Sequence, residues 1–160
     1  MSTDKNPSDD LPVEVLALLG VHQIFWRVQE VVDEDRENEC AGHELTKQEK
    51  HMIVLLAAPQ RMGVLARDMA VLPSTITAIA DGLEGKCLLE RIKDPADRRA
   101  YLLRLTPEGD EIRRAMVERI GQIFRSISGL SPEETDAFAQ LAEKARRNIL
   151  DHSDAEDVVR

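Results

Sequence analysis

Two adjacent arginines, Arg98 and Arg99, close the short segment Asp94-Pro-Ala-Asp-Arg-Arg99 and are the best-placed chemical groups in the chain. A guanidinium on a projecting turn can enter the minor groove of a duplex, where the potential is most negative. Asp97 would be repelled by phosphate, so its role there is to accept hydrogen bonds from a wing arginine and fix its direction. A second set, Ser74, Thr75, Thr77 and Ala78, offers the small hydroxyl and methyl groups that reach base edges or phosphates. Arg61, Arg67 and Lys86 are candidate supporting phosphate contacts. Each set also has a plainer reading. The arginines can form a solvated cluster on a turn, Ser74 and Thr75 can satisfy helix-terminal amides, and the other cations can be surface charge.

Other chemistries find less support. Cys40 and Cys87 are too few for a disulfide framework, and Glu39 beside Cys40 pushes that thiol away from the reactive thiolate. His22, His43, His51 and His152 form no His-x-x-x-His pair, and the cluster Glu39, Cys40, His43, Glu44 lacks metal-ligand spacing, so no metal or other cofactor is expected. A glycine-rich phosphate loop, a His-Glu-x-x-His helix, a nucleophile elbow and Cys-x-x-Cys are all missing, so the expectation is that the protein is not an enzyme.

The 160 residues suit a single core, and 42% apolar content is enough to bury one. Net charge is −9, which taken globally argues against nucleic acid. The charge is uneven, however: residues 61–106 carry eight basic and six acidic side chains, a local +2 against −11 for the remainder. Uninterrupted apolar runs fall far short of the roughly 20 residues that span a bilayer, and residues 1–10 lack a basic n-region. No membrane partner and a cytoplasmic location are therefore expected.

The elements that must position these residues are mostly helical. Residues 1–10 read as a disordered tail, and Leu11 to about Asp35, within the segment 11–40, as a helix with apolar steps through Val13, Leu16, Ile24 and Val28, ended by the charged stretch Asp33 to Glu39. Thr46-Lys-Gln-Glu49 is a capping box that opens a short helix ended by Pro59. Residues 63–70 give another helix, and Pro73 suits the first position of a third that buries Ile76, Ile79, Ala80 and Leu83. Residues 88–93 and 100–105 alternate as strands around a polar hairpin tip. Thr106-Pro107 and Ser131-Pro-Glu-Glu134 open two long helices within 107–150, and 151–160 is an acidic tail. The fold class is mainly α with a small β-hairpin wing, a winged helix-turn-helix with N- and C-terminal helices too apolar to stay uncovered. Those helices pack most simply across a two-fold axis.

The stretch from Leu45 to Gly109 resembles the MarR family of dimeric transcription regulators. The resemblance lies in Leu45-Thr46, Leu65-Ala66, Ser74-Thr-Ile-Thr77, Asp81-Gly-Leu-Glu-Gly-Lys86, Leu88-Leu-Glu-Arg91, the wing 94–99 and Leu103-Arg-Leu-Thr-Pro-Glu-Gly109. It implies a DNA-binding lobe at 41–106 and dimerisation helices at 11–40 and 107–150. The partners implied are double-stranded DNA, a second copy in a homodimer, and a small aromatic or anionic effector. Such a regulator, a repressor by this reading, sits on a pseudo-palindromic operator and is relieved by the effector. Val21, Phe25, Met52 and Leu56 are the implied pocket, each also readable as plain core. Two departures stand out. Family members often carry arginine where this chain has Ala78, so the helix 73–84 has no base and two acids, Asp81 and Glu84. Cys87 stands where the family commonly has glycine. Two other functions remain open: a winged-helix protein–protein adaptor without DNA binding, and a redox sensor using Cys40 or Cys87.

Overall fold

The structure, a computed structural model, describes residues 11–34 and 42–153, with the side chains at 33, 34, 152 and 153 left aside. The expected tail at 1–10, residues 154–160 of the tail expected at 151–160, and Glu39 and Cys40 lie outside the described residues, whereas 151–153 continue the last helix. Six helices and three strands follow in order: α1 Val13–Glu34, α2 Lys47–Leu55, β1 Gln60–Arg61, α3 Met62–Asp68, α4 Pro73–Gly85, β2 Leu89–Lys93, β3 Tyr101–Leu105, α5 Pro107–Ser128 and α6 Pro132–Ser153. The chain divides into two compact units, one of residues 1–38 and 119–129 and the other of 39–118 and 130–160, so α5 contributes to both.

In the larger unit, α2, α3 and α4 enclose a core of Met52, Ile53, Leu65, Ile76, Ile79 and Leu83. Leu88, Leu89, Leu103, Leu105, Ile112 and Met116 complete it. At roughly 1.5–3 kcal/mol for each large side chain withdrawn from water, this cluster dominates the lobe's stability. Beside it lies an antiparallel sheet in the order β1-β3-β2. Leu103 of β3 stands opposite Gln60 on one side and Arg91 on the other. The hairpin agrees with the alternation in sequence, whereas β1 was not expected. Two residues carry no period, and β1 exists only because β3 offers an open edge. Pro73 opens α4 as expected, but α2 ends at Leu55, before Pro59.

Glu49 shows how the lobe's helices are locked. It completes the capping box, accepting the Thr46 amide at 2.8 Å while Thr46 Oγ1 accepts the Glu49 amide at 3.2 Å. Both carboxylate oxygens also accept Lys86 Nζ at 2.7 Å. Lys86 therefore serves as the partner of a buried carboxylate, which corrects its reading as a phosphate contact. A Cβ at Gly82 would lie 2.7 Å from Glu49 Oε1, so only glycine lets α4 approach. Burial works to raise the Glu49 pKa, but hydrogen bonds from Lys86 and Thr46 outweigh it and hold the carboxyl below its ordinary value. Because the folded-state pKa is lowered, the contribution is complete above the ordinary carboxylate pKa and disappears as pH falls through the depressed one. Glu49→Ala is expected to cost about 2 kcal/mol at neutral pH and to flatten the acid limb of a urea-stability profile.

In the smaller unit, Ile123 of α5 is buried, whereas α1 exposes large apolar residues, Leu18 at 69% and Trp26 at 63%. Val13–Val32 is long and apolar enough to cross a membrane by length and composition. Scanning for uninterrupted apolar runs overlooks this, because Glu14, His22 and Gln23 break the run without ending the helix. The same composition fits a helix covered by protein on several sides. In the larger unit, α6 likewise leaves Leu141 and Ile149 each 68% exposed. These two side chains of α6 are therefore uncovered within one chain.

Candidate nucleic-acid interface

The hairpin tip is built from its own backbone. Asp94 N–H donates to Ala100 O at 3.1 Å, and Ala100 N–H donates to Asp97 O at 2.9 Å. Asp94 is buried, accepting the Ala96 amide at 2.8 Å through Oδ1 and Arg61 Nε at 2.8 Å through Oδ2. The Ala96 amide and then the Arg61 guanidinium hold its carboxyl below the usual range. Arg61 thus anchors the base of the wing through its Nη2 as well, 2.6 Å from the same oxygen, so its guanidinium is already shared with Asp94 while staying half exposed. Asp97 Oδ1 accepts from an arginine, but from the backbone amide of Arg99 at 3.0 Å rather than from a guanidinium. It shapes the turn that carries the two arginines.

Among residues 61–106, all described, the basic side chains fall into two groups. Arg61 is held by Asp94, Lys86 by Glu49, Arg91 by Asp81 and Glu84, and Arg104 by Glu90. Lys93 lies 5.2 Å from the centre of the Tyr101 ring, and Arg67 Nε is 3.8 Å from Asp68 Oδ1. Arg98 and Arg99 are exposed, and neither side chain has a hydrogen bond or ion pair among the described residues. Unpaired guanidinium groups keep their full set of donors for an external anion.

Along α4, Ser74, Thr77, Ala78 and Asp81 are exposed and Thr75 is half-buried, opposite the buried Ile76, Ile79 and Ala80. The N-cap is Leu72 without a side-chain bond, so Ser74 and Thr75 do not serve as caps. Thr77 Oγ1 donates to Pro73 O at 3.1 Å, which leaves it as an acceptor and a methyl toward the exterior. The acids of this helix are engaged: Arg91 Nη2 lies 2.5 Å from Asp81 Oδ1, and Nη1 pairs with Glu84. Sequence reasoning missed this group because the partners sit on a helix and a strand, with no local spacing to connect them.

The other expected residues are placed as follows. Met52 and Leu56 are closed into the core and present no surface to a ligand, while Val21 and Phe25 are exposed on α1. Cys87 is exposed with φ of 58°, and Leu88 N–H and Cys87 N–H return to Leu83 O and Glu84 O. That is the left-handed helix end at which glycine is usual. His43 Nε2 lies 2.9 Å from Glu108 Oε1, and no group of three metal-ligating side chains occurs among the described residues.

A three-helix lobe followed by a cationic hairpin is a winged helix-turn-helix, and comparison with known proteins agrees. Residues 54–101 match the sequence profile of the MarR family. The chain is 28% identical over 135 residues to the uncharacterized HTH-type transcriptional regulator YkoM of Bacillus subtilis (strain 168), covering 82% of this chain and 88% of that one. It is 35% identical over 85 residues to the HTH-type transcriptional repressor MdtR of the same organism, 52% of this chain and 55% of MdtR. The fold matches that of NadR in complex with 4-hydroxyphenylacetate with a TM-score of 0.65 and 21% identity, across 89% of this chain and 97% of that one. YkoM and MdtR are both described as HTH-type regulators of transcription, MdtR as a repressor. The profile match through α3, α4 and the wing, set in this architecture, makes residues 54–101 similar to the MarR family of transcriptional regulators.

Proposed function

We propose that the protein is a cytoplasmic, homodimeric repressor that binds a pseudo-palindromic operator and is released by a small aromatic or anionic molecule. The observation that carries this reading is the pair Arg98 and Arg99, the two cations of residues 61–106 whose side chains have no partner among the described residues. In this reading two α4 helices enter major-groove faces about one helical turn, roughly 10 base pairs, apart. Ser74, Thr75, Thr77 and Ala78 meet base edges and phosphates, and the wings flank them in the minor groove. The helices at 11–40 and 107–150 form the dimer, and the exposed apolar faces of α1 and α6 support this, since water does not tolerate so much apolar surface. NadR, bound to an aromatic acid, supports an effector of that class, and the exposed Val21 and Phe25 are the open members of the expected pocket. An effector releases DNA only by favouring a dimer geometry that fits the operator poorly.

The test is selection of bound fragments from the source genome, combined with sedimentation of the free protein. A sedimenting species of twice the chain mass and an enriched inverted repeat with half-sites one turn apart are expected. A monomer at micromolar concentration, or fragments without a repeat, contradicts the proposal.

A further inference from the structure

Helix α4 has no base of its own, and its outer face carries Asp81 and Glu84, both well exposed. A helix entering a groove lined by phosphates on both sides with two unscreened carboxylates meets repulsion at each approach. In this chain a single guanidinium from the neighbouring strand meets both groups. Arg91 of β2, itself largely enclosed with 24% of its side chain exposed, puts Nη2 on Asp81 and Nη1 on Glu84. The two carboxylates are three residues apart, one turn of the helix, and the planar fork spans them as an ammonium cannot. The charge of the group falls from −2 to −1, and the second half of α4 is tied to the sheet that carries the wing.

We propose that Arg91 is a positioning residue for DNA recognition. It neutralises the acidic turn of α4 so that the Ser74–Ala78 face can enter the groove, without itself touching DNA. This rests on the DNA-binding reading above and explains how that reading survives the absence of a base on α4. It also assigns a role to the acids, which would otherwise only oppose binding: they hold the helix to the strand through Arg91.

The experiment compares four full-length proteins, wild type, Arg91→Ala, Arg91→Lys and the triple variant Arg91→Ala/Asp81→Asn/Glu84→Gln. Binding to a labelled random-sequence duplex of about 30 base pairs is read by fluorescence anisotropy. Circular dichroism and sedimentation confirm that each variant keeps its fold and mass. Arg91→Ala is expected to bind about tenfold more weakly, Arg91→Lys to recover part of the loss, and the triple variant to return to wild-type affinity. Arg91→Ala binding as tightly as wild type overturns the proposal. So does a triple variant as weak as Arg91→Ala, because the arginine would then be needed at the DNA itself. Wild type that binds no duplex overturns the DNA-binding reading and this proposal with it, which separates the two failures.

Discussion

Gly109→Ala is expected to remove a large share of the stability of the larger unit. The first turn of α5 crosses the end of α4 so closely that a Cβ at Gly109 would lie 2.2 Å from Leu88 O, 3.1 Å from its carbonyl carbon and 3.3 Å from Leu105 Cβ. The obstructing atom is backbone and cannot swing aside. Leu88 O already accepts the Thr106 amide at 3.1 Å, and Thr106 Oγ1 donates to Cys87 O at 2.8 Å while accepting the Gly109 amide at 3.1 Å. Relieving the clash therefore breaks the joint between α4, the hairpin and α5. A cost of about 3 kcal/mol or more is expected, at the upper end of overpacking effects and a large share of the stability of a typical domain. Thermal unfolding should show a fall of roughly 10 °C. Gly85→Ala is the control: its Cβ meets nothing within 4 Å, and the change is expected within about 1 kcal/mol. Equal melting temperatures for Gly109→Ala and wild type would refute this account of the joint.

Arg98→Ala/Arg99→Ala is expected to have the opposite profile, with stability intact and DNA binding lost. Both side chains are exposed and bond to nothing among the described residues, so their removal should change unfolding free energy by less than about 0.5 kcal/mol. In a dimer the double substitution deletes four cations from the wings. At about 1 kcal/mol or more for each charge-assisted contact, affinity should fall by about two to three orders of magnitude. Lys93 and Arg104 are poor substitutes, since one sits over Tyr101 and the other is paired with Glu90.

The contrast between these two predictions mirrors what the amino-acid order discloses. Features set by residues a few positions apart were readable. Thr46 with Glu49 and Ser131 with Glu134 do form capping boxes, Pro73 does open α4, and the alternating residues around 94–99 do pair as a hairpin. Each depends on a local period or a terminal amide, and both leave a mark in the sequence. Partnerships made across the fold left no such mark. Arg61 meets Asp94 across 33 residues and Lys86 meets Glu49 across 37, so the two looked like free surface charge when they are internal ties. The need for glycine at 82 and 109 likewise comes from atoms distant in sequence, Glu49 Oε1 and Leu88 O. The candidate interface was thus half legible. The arginine pair announced itself by composition, and the neutralisation of α4 by Arg91 appeared only once strand and helix were adjacent.

In the proposed function two unpaired wing arginines carry the grip on duplex DNA. The most direct test of that role is the slope of log K against log salt for wild type and for Arg98→Ala/Arg99→Ala on the same duplex. Each neutralised phosphate contributes roughly 0.9 to that slope. A steep wild-type slope that becomes shallower by about two to four in the double variant is the predicted result. Parallel lines of equal affinity would contradict it.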